Sequence, residues 1–412
     1  MAAKHPPLKQ VLPPLILGGA GFSHQLTSNP NPLRTREVLK RAFELGLRAI
    51  DTSAYYEPSE ELIGAALSHR EMTPLYSRHE YFLMTKVGRI SATKSDYSPA
   101  WIRYSVQRSL QRLRTTYLDV VFCHDIEFVP EENVLEAIGV LLEMVAVGKV
   151  RYVGISGYPI GLLARVALRA REVYGRPLDV IQNWAQLTLQ NNRLEREGFQ
   201  LFKEAGVSCI CSSSPLASGL LRDEGVPVGN LGDWHPAPEG LRQAARDAAL
   251  YTKSAGESLA SLSLRYAIRR AQYSSTSEFS VATIIGGTSV AEVEENISTA
   301  LQVLRRGGGI WQWNSEGESE LGETGSHEQL EEDTRLFNGV KLIMGEWRNY
   351  SFSEDPYPEI QSGEGYLNSA MNQPALNQLV NSSVLSPHDQ FPFGFTWLFP
   401  IIRPTGNKAK LL

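Results

Sequence analysis

Cysteine is scarce. The chain holds three (Cys123, Cys209, Cys211), too few for a disulfide framework, and no Cys-x-x-Cys pair that would read as a zinc ribbon. No metal site is expected. Long apolar runs are missing as well. The stretch between Val11 and Leu17 is broken by two prolines and is too short for the core of a signal peptide. Nothing approaches the ~20 apolar residues that span a bilayer. Neither charge dominates: 40 basic residues against 45 acidic ones leave a net −5, so no nucleic-acid or anionic-membrane partner is expected. The glycine fingerprint G-x-G-x-x-G of doubly wound dinucleotide folds is also absent. Gly18, Gly19 and Gly21 lie close together, but HQLTSNPNP follows them, which is a loop and not a helix start. These absences, with cysteines suited to a reducing compartment, lead to the expectation of a soluble cytoplasmic protein.

What is present is a globular composition: 42% hydrophobic and 21% charged residues over 412 positions, enough for a packed core. Short β-rich runs alternate with helical patterns. Strands are expected at 16–22, 47–53, 81–87, 118–124, 150–156, 179–185, 207–213 and 281–286. Helices are expected at 35–45, 59–68, 98–113, 132–147, 160–174, 196–205, 257–270 and 291–304, with a longer connection before 257. Runs such as VVFC, VSCIC and VATII are apolar without alternation, as suits parallel strands covered on both faces. Gly148, Gly175, Gly206 and Gly307 follow helical segments as left-handed stops. Eight strand–helix units in about 300 residues predict a (β/α)8 barrel, an α/β TIM barrel, over residues 1–306. An acidic, Ser/Gly-rich stretch, 307–334, reads as a mobile insert. Residues 335–354 are expected to pack back on the barrel, and 355–412 to carry little structure.

Active sites of such barrels lie at the C-terminal ends of the strands. Reading those ends gives Asp51 with Tyr56 in the loop beyond it, Lys86, and His124. A phenol titrates near 10, too high for easy proton transfer at neutral pH. An adjacent ammonium favours tyrosinate, a carboxylate holds the ammonium in place, and an imidazole orients or relays at a substrate oxygen. The set moves a proton on or off an alcohol or carbonyl oxygen. It carries no electrons, so a hydride acceptor must come from outside.

The same residues carry a resemblance. GLRAIDTSAYYEPSEELIGAAL resembles the signature of the aldo-keto reductases. MTKVG, LDVVFCHD, GKVRYVGISG, SPLASGLL and IIGGTSVAEVEENI are similar to later segments of that family. The likeness covers about residues 12–306. It implies the barrel, a nicotinamide dinucleotide, and a tetrad of Asp51, Tyr56, Lys86 and His124 with Tyr56 as proton donor or acceptor. It also implies cofactor contacts from Gly19, Ser156, Gln182, Ser214, Leu216, Ser218, Gly287, Thr288, Ser289, Glu292, Glu295 and Asn296. Three departures stand out: Gly157 where the family commonly has Asn, Ser213 where many members stack an aromatic ring on the nicotinamide, and Glu57 in place of Gly.

Within the family, LDVIQNWAQLTLQNNRLEREGFQLFKEAGVSCICSSSPLASGLL, DWHPAP and GEWRNYSF resemble the branch of D-arabinose 1-dehydrogenases and L-galactose dehydrogenases, the last most like fungal members. The implied reaction oxidises the anomeric carbon of an aldose to a lactone. Residues 286–296 hold no Lys or Arg where NADP-preferring members place them, which implies NAD. The alternatives are an aldehyde reductase with the same tetrad, and a cofactor-binding regulatory barrel. The expected partner is a small sugar; the oligomeric state is left open.

Overall fold

The computed structural model describes residues 5–229, 231–307, 310–312 and 327–353. Eight parallel strands close into one barrel in sequence order: β1 (Leu15–Gly18), β2 (Ala49–Asp51), β3 (Phe82–Val87), β4 (Leu118–Cys123), β5 (Val150–Gly157), β6 (Val180–Trp184), β7 (Cys209–Ser213) and β8 (Ser280–Ile285). β8 pairs with β1 through Leu15–Thr283, Ile16–Ile284 and Leu17–Ile285, which completes the closure. Helices α1 (Pro32–Glu44), α2 (Ser59–Leu67), α3 (Pro99–Arg112), α4 (Glu131–Ala146), α5 (Ile160–Tyr174), α6 (Phe199–Glu204), α7 (Glu239–Ser254), α8 (Leu259–Ser274) and α9 (Val290–Leu301) lie outside.

Local chemistry sets the boundaries. Asn31 caps α1, its carboxamide oxygen accepting from the N–H groups of Leu33 (2.9 Å) and Arg34 (3.2 Å). Ser98 caps α3 ahead of Pro99. Gly148, Gly175 and Gly206 take φ of +72°, +65° and +82°, the left-handed stops expected of them. Gly64 lets α2 meet α3, since a Cβ there would lie 1.9 Å from the carbonyl oxygen of Arg112.

Alternation then sorts the strands. Ile16, Ala49, Met84, Phe122, Tyr152 and Cys211 belong to the cluster that fills the barrel, which Leu8 and Leu12 of the N-terminal segment join. The odd-phase neighbours, such as Leu17, Ile50, Leu83, Val121 and Val153, face the helices. Further along the same inward phase, at the C-terminal rim, stand Asp51, Lys86, His124, Ser156, Gln182 and Ser213.

Four local expectations are corrected. β1 ends at Gly18, and Gly19–Phe22 forms a 3-10 turn. The expected helix 196–205 begins as a π turn, Leu194–Gly198, before α6. The connection before residue 257 contains α7, whose buried face is Leu241, Ala244, Ala245, Ala248, Ala249 and Thr252. That face has helical spacing, but small alanines make a weak apolar signal. Gly307 ends no helix; it lies in β9 (Arg305–Gly307), which pairs antiparallel with β10 (Ile310–Gln312).

Beyond the barrel, α10 (His327–Met344) starts inside the acidic stretch read as a mobile insert. Tertiary pairing explains the difference. Asp333 is fully buried against Arg265 of α8, with Nη2 2.8 Å and Nε 3.1 Å from its carboxylate. Residues 308–309 and 313–326 of the expected insert, and all of the expected tail, 355–412, lie outside the described residues. Among the described residues, no helix is long and apolar enough to cross a membrane.

Candidate active site

β2, β3 and β4 are neighbours, so their inward C-terminal residues converge. Lys86 Nζ lies 2.6 Å from Asp51 Oδ2 and donates also to the Thr52 carbonyl oxygen at 3.0 Å. Both partners are buried, at 2% and 4% exposure, so the pair is held in low dielectric. Gln182 reaches across from β6 and donates to the same Asp51 oxygen at 3.3 Å. Burial raises the Asp51 carboxyl, and Lys86 opposes that rise.

Tyr56 comes from the tight turn between β2 and α2. Its N–H donates to the Ser53 carbonyl at 3.0 Å, and its own carbonyl accepts from the Ser59 N–H at 2.6 Å. The turn sets the Tyr56 ring 5.2 Å from Lys86 Nζ and edge-on to His124, with centroids 5.6 Å apart at 89°. The four residues read from the strand ends therefore meet in space.

His124 is held by a polar ring. Ser53 Oγ accepts from the Tyr55 N–H (3.1 Å) and lies 3.0 Å from His124 Nδ1. The Ser53 hydroxyl can donate to Nδ1 with the imidazole proton on Nε2, the ring nitrogen turned toward a carboxylate. That nitrogen faces Asp125 Oδ2 at 3.5 Å. Burial lowers His124 to about 3, with Asp125 opposing, so the imidazole is neutral. Asp125 is ion-paired with Arg89, whose guanidinium lies over Tyr55 and Phe128 at 4.8 and 4.7 Å. Burial raises Asp125, but the Arg89 guanidinium helps bring it below its ordinary value.

One electrostatic expectation is corrected. An ammonium beside Tyr56 is expected to lower the phenol, yet its pKa stands well above the ordinary value. Burial is the largest cause, followed by the charges of Asp51 and Asp125; Arg89 only partly offsets them. Asp51 lies at contact distance from Lys86, so its negative charge works against the ammonium's effect on the phenol.

The other expected contacts lie on the remaining arc of the rim. Ser156 pairs in register with Gln182, and Gln182 Oε1 is buried with no hydrogen-bond partner among the described residues. An acceptor so placed suits an amide N–H from a ligand. After β7, Ser214, Ala217 and Ser218 take φ of +56°, +48° and +57°, three left-handed non-glycine residues within five positions. Each costs on the order of 1–3 kcal/mol, and such strain clusters where ligands bind. Leu216 and Ser218, both half-buried, belong to this loop. After β8, Gly287 is so tightly placed that a Cβ would meet Val293 at 2.6 Å. Gly21 would meet the Gly287 carbonyl at 2.9 Å, and Gly19 the Ser59 hydroxyl at 2.9 Å. The loops after β1, β2 and β8 thus touch through glycines.

At the start of α9, Ser289 is the cap, its Oγ accepting from the Glu292 N–H at 3.2 Å. Glu292 folds back and accepts from the Thr288 N–H (2.7 Å) and hydroxyl (2.9 Å). Its carboxylate fills the place where a helix N-terminus would otherwise take an anion. Asn296 Nδ2 donates to the Gly286 carbonyl at 2.9 Å. Glu295 stands apart, exposed on α9.

Sequence reading missed two features. Trp184 is the next inward residue after Gln182 on β6 and pairs in register with Ser213, bringing an aromatic ring beside the position where stacking is expected and missing. Period-two counting from Gln182 would have found it. Glu127 lies over Gly157, its Oε1 accepting from the Tyr158 N–H at 3.0 Å; burial, then Asp125, raises it to about 8. No linear signal pointed to it.

Comparison with known proteins agrees with this architecture. The model of the aldo/keto reductase family matches residues 14–305. D-arabinose 1-dehydrogenase of Saccharomyces cerevisiae is 40% identical over 62% of this chain and 75% of its own. L-galactose dehydrogenase of Arabidopsis thaliana is 33% identical over 65% of this chain and 77% of its own. Among solved structures, glycerol dehydrogenase of Gluconobacter oxydans superposes with a TM-score of 0.56 at 19% identity, covering 83% of this chain and 94% of that one, a likeness of fold. A closed eight-stranded barrel with Asp51, Tyr56, Lys86 and His124 gathered at one rim, matched from residue 14 to residue 305, makes this chain an oxidoreductase of the aldo/keto reductase family.

Proposed function

We propose that the protein is an NAD-dependent aldose 1-dehydrogenase, oxidising the anomeric carbon of a D-arabinose- or L-galactose-type sugar to the lactone. The observation that carries the reading is the convergence of Tyr56, the Lys86–Asp51 pair and a neutral His124 at one rim. The two relatives named for these sugars supply the substrate class.

A nicotinamide, when bound, supplies the hydride acceptor. The residues toward it fit: Gln182 Oε1 lacks a partner for an amide N–H, Ser156 stands beside it, and the strained loop 214–218 with the glycine contacts at 21 and 287 forms a close backbone cradle. Trp184, beside Ser213, offers the ring face. Ser214, Leu216, Ser218, Gly287, Thr288, Ser289, Glu292, Glu295 and Asn296 form the dinucleotide-binding arc in this reading.

Tyr56 is the proton carrier. In oxidation its deprotonated oxygen takes the proton of the anomeric hydroxyl as the C–H pair leaves; in reduction the phenol returns it. His124, neutral with Nε2–H, donates to the reacting oxygen and fixes its direction. Lys86, locked by Asp51, orients the phenol. Because burial holds the phenol high, oxidation is favoured at alkaline pH and the reverse reaction at lower pH. NAD follows from Glu292, whose carboxylate occupies the Thr288 N–H that a 2′-phosphate would seek, with no cation on that segment.

The test is to incubate the purified chain with NAD and a panel of aldoses and watch reduced nicotinamide appear. D-arabinose or L-galactose should give the highest kcat/KM. Turnover of simple aldehydes alone, or no turnover at all, would replace this reading.

A further inference from the structure

The family match ends at residue 305, yet ordered contacts to the barrel continue to Phe352. α10 is anchored by Asp333, which meets Arg265 and also Arg269 (3.1 Å). Beyond Met344 the chain runs across the loop that follows β6. Gln190 Nε2 donates to the Trp347 carbonyl at 2.8 Å, and Asn191 Nδ2 to the Tyr350 carbonyl at 3.1 Å. The Asn192 N–H donates to Asn349 Oδ1 at 2.9 Å, and the Asn349 N–H to the Gln190 carbonyl at 2.9 Å.

The segment ends in a buried aromatic contact. The Phe352 N–H donates to Tyr158 Oη at 2.9 Å. Its ring lies 6.2 Å from Tyr158, 6.3 Å from Trp184, and edge-on to His235 at 5.2 Å and 82°. His235 is itself buried. Its Nδ1 accepts from the Ala237 N–H at 3.1 Å, so the proton sits on Nε2, which donates to the Ala217 carbonyl at 2.9 Å. Ala217 is one of the three left-handed residues of the strained loop after β7. A strained loop persists only where its surroundings over-determine it. Here those surroundings include a contact chain from Phe352 through His235 to Ala217.

We propose that residues 327–353 clamp the dinucleotide loop: Phe352, acting through His235, holds Ser214–Gly219 in the conformation that receives the cofactor. Phe352 and His235 are positioning residues in this scheme, since neither is assigned a contact with the reacting atoms. The proposal rests on the assignment of that loop to the dinucleotide.

The experiment uses the full chain and titrates reduced dinucleotide binding by its fluorescence, alongside steady-state kinetics. Phe352→Ala should weaken dinucleotide binding by about tenfold and raise the KM for the oxidised form in proportion, with kcat at saturating cofactor and the sugar KM changed by less than about twofold. Phe352→Leu, which keeps apolar bulk, should recover most of the loss. Should Phe352→Ala fail to fold, a second pair carries the test: His235→Gln keeps an N–H donor toward the Ala217 carbonyl and should bind normally, whereas His235→Leu should show the defect. Unchanged dinucleotide affinity in a folded Phe352→Ala, or equal losses in kcat and in both KM values, would overturn the clamp. A wild-type chain that binds no dinucleotide would overturn the functional reading beneath it, and the clamp with it.

Discussion

The arc of the rim from β2 to β4 and the arc from β7 round to β1 hold their side chains by different means. In the first, Asp51, Lys86 and His124 are inward residues of regular strands, and a short hydrogen-bonded turn adds Tyr56. Their spacing follows from strand pairing and the period of two. In the second, the groups come from irregular loops, with three non-glycine residues left-handed after β7 and glycines packed against carbonyls at 21 and 287. Of these, the loop after β7 is contacted through His235 by Phe352, which follows α10, a helix braced on α8 by Asp333 and Arg265. Asp51, Tyr56, Lys86 and His124 therefore sit on the regular side, and the irregular side includes a loop contacted from beyond the barrel strands.

Breaking the regular arc should have the largest effect. Tyr56→Phe should lower kcat by at least ~10²-fold, the scale of losing a general acid–base group, while dinucleotide affinity stays nearly constant. Full turnover in that variant would remove Tyr56 from the proton path. Breaking the brace should act on stability instead. Asp333→Ala leaves Arg265 buried at 2% exposure with Glu257 still within 2.5 Å, so a loss of about 3 kcal/mol is expected, the lower end for a broken buried pair. Denaturant unfolding measures it, and a change below about 1 kcal/mol would show that α10 contributes little.

Two smaller effects sharpen the contrast. On the loop arc, wild type should prefer NAD over NADP by about tenfold in kcat/KM, or about 1.4 kcal/mol. Glu292→Arg should narrow that gap by freeing the Thr288 N–H and adding a cation. Equal use of both cofactors by wild type would point to cations from another loop. On the strand arc, oxidative activity should rise with pH into the alkaline range, because burial and two carboxylates hold the Tyr56 phenol high and its deprotonated form is the competent one. Lys86→Met leaves Asp51 unmatched, raises the phenol further, and should move the profile about one pH unit more alkaline. An unmoved profile in a still-active Lys86→Met would show that Lys86 only orients.

The same contrast marks what sequence and structure each decided. Strand and helix order, the barrel, the glycine stops at 148, 175 and 206, and the convergence of Asp51, Tyr56, Lys86 and His124 are all written in local pattern. Periods of 2 and 3.6, with cap chemistry, need only near neighbours. The sign of the Tyr56 shift was not legible, because it depends on whether Lys86 is already matched by Asp51 and on how far the ring is buried. Nor was the start of α10, which is acidic and reads as a loop until Arg265 supplies a buried partner for Asp333. α7 hid behind alanines, which carry little apolar signal yet pack closely once a neighbouring helix is present. Glu127 over Gly157, Trp184 beside Ser213, and Phe352 reaching Ala217 through His235 join residues distant in the chain. Propensity and periodicity act over a few residues, whereas burial, ion pairing and backbone strain are set by whatever the closed barrel brings alongside.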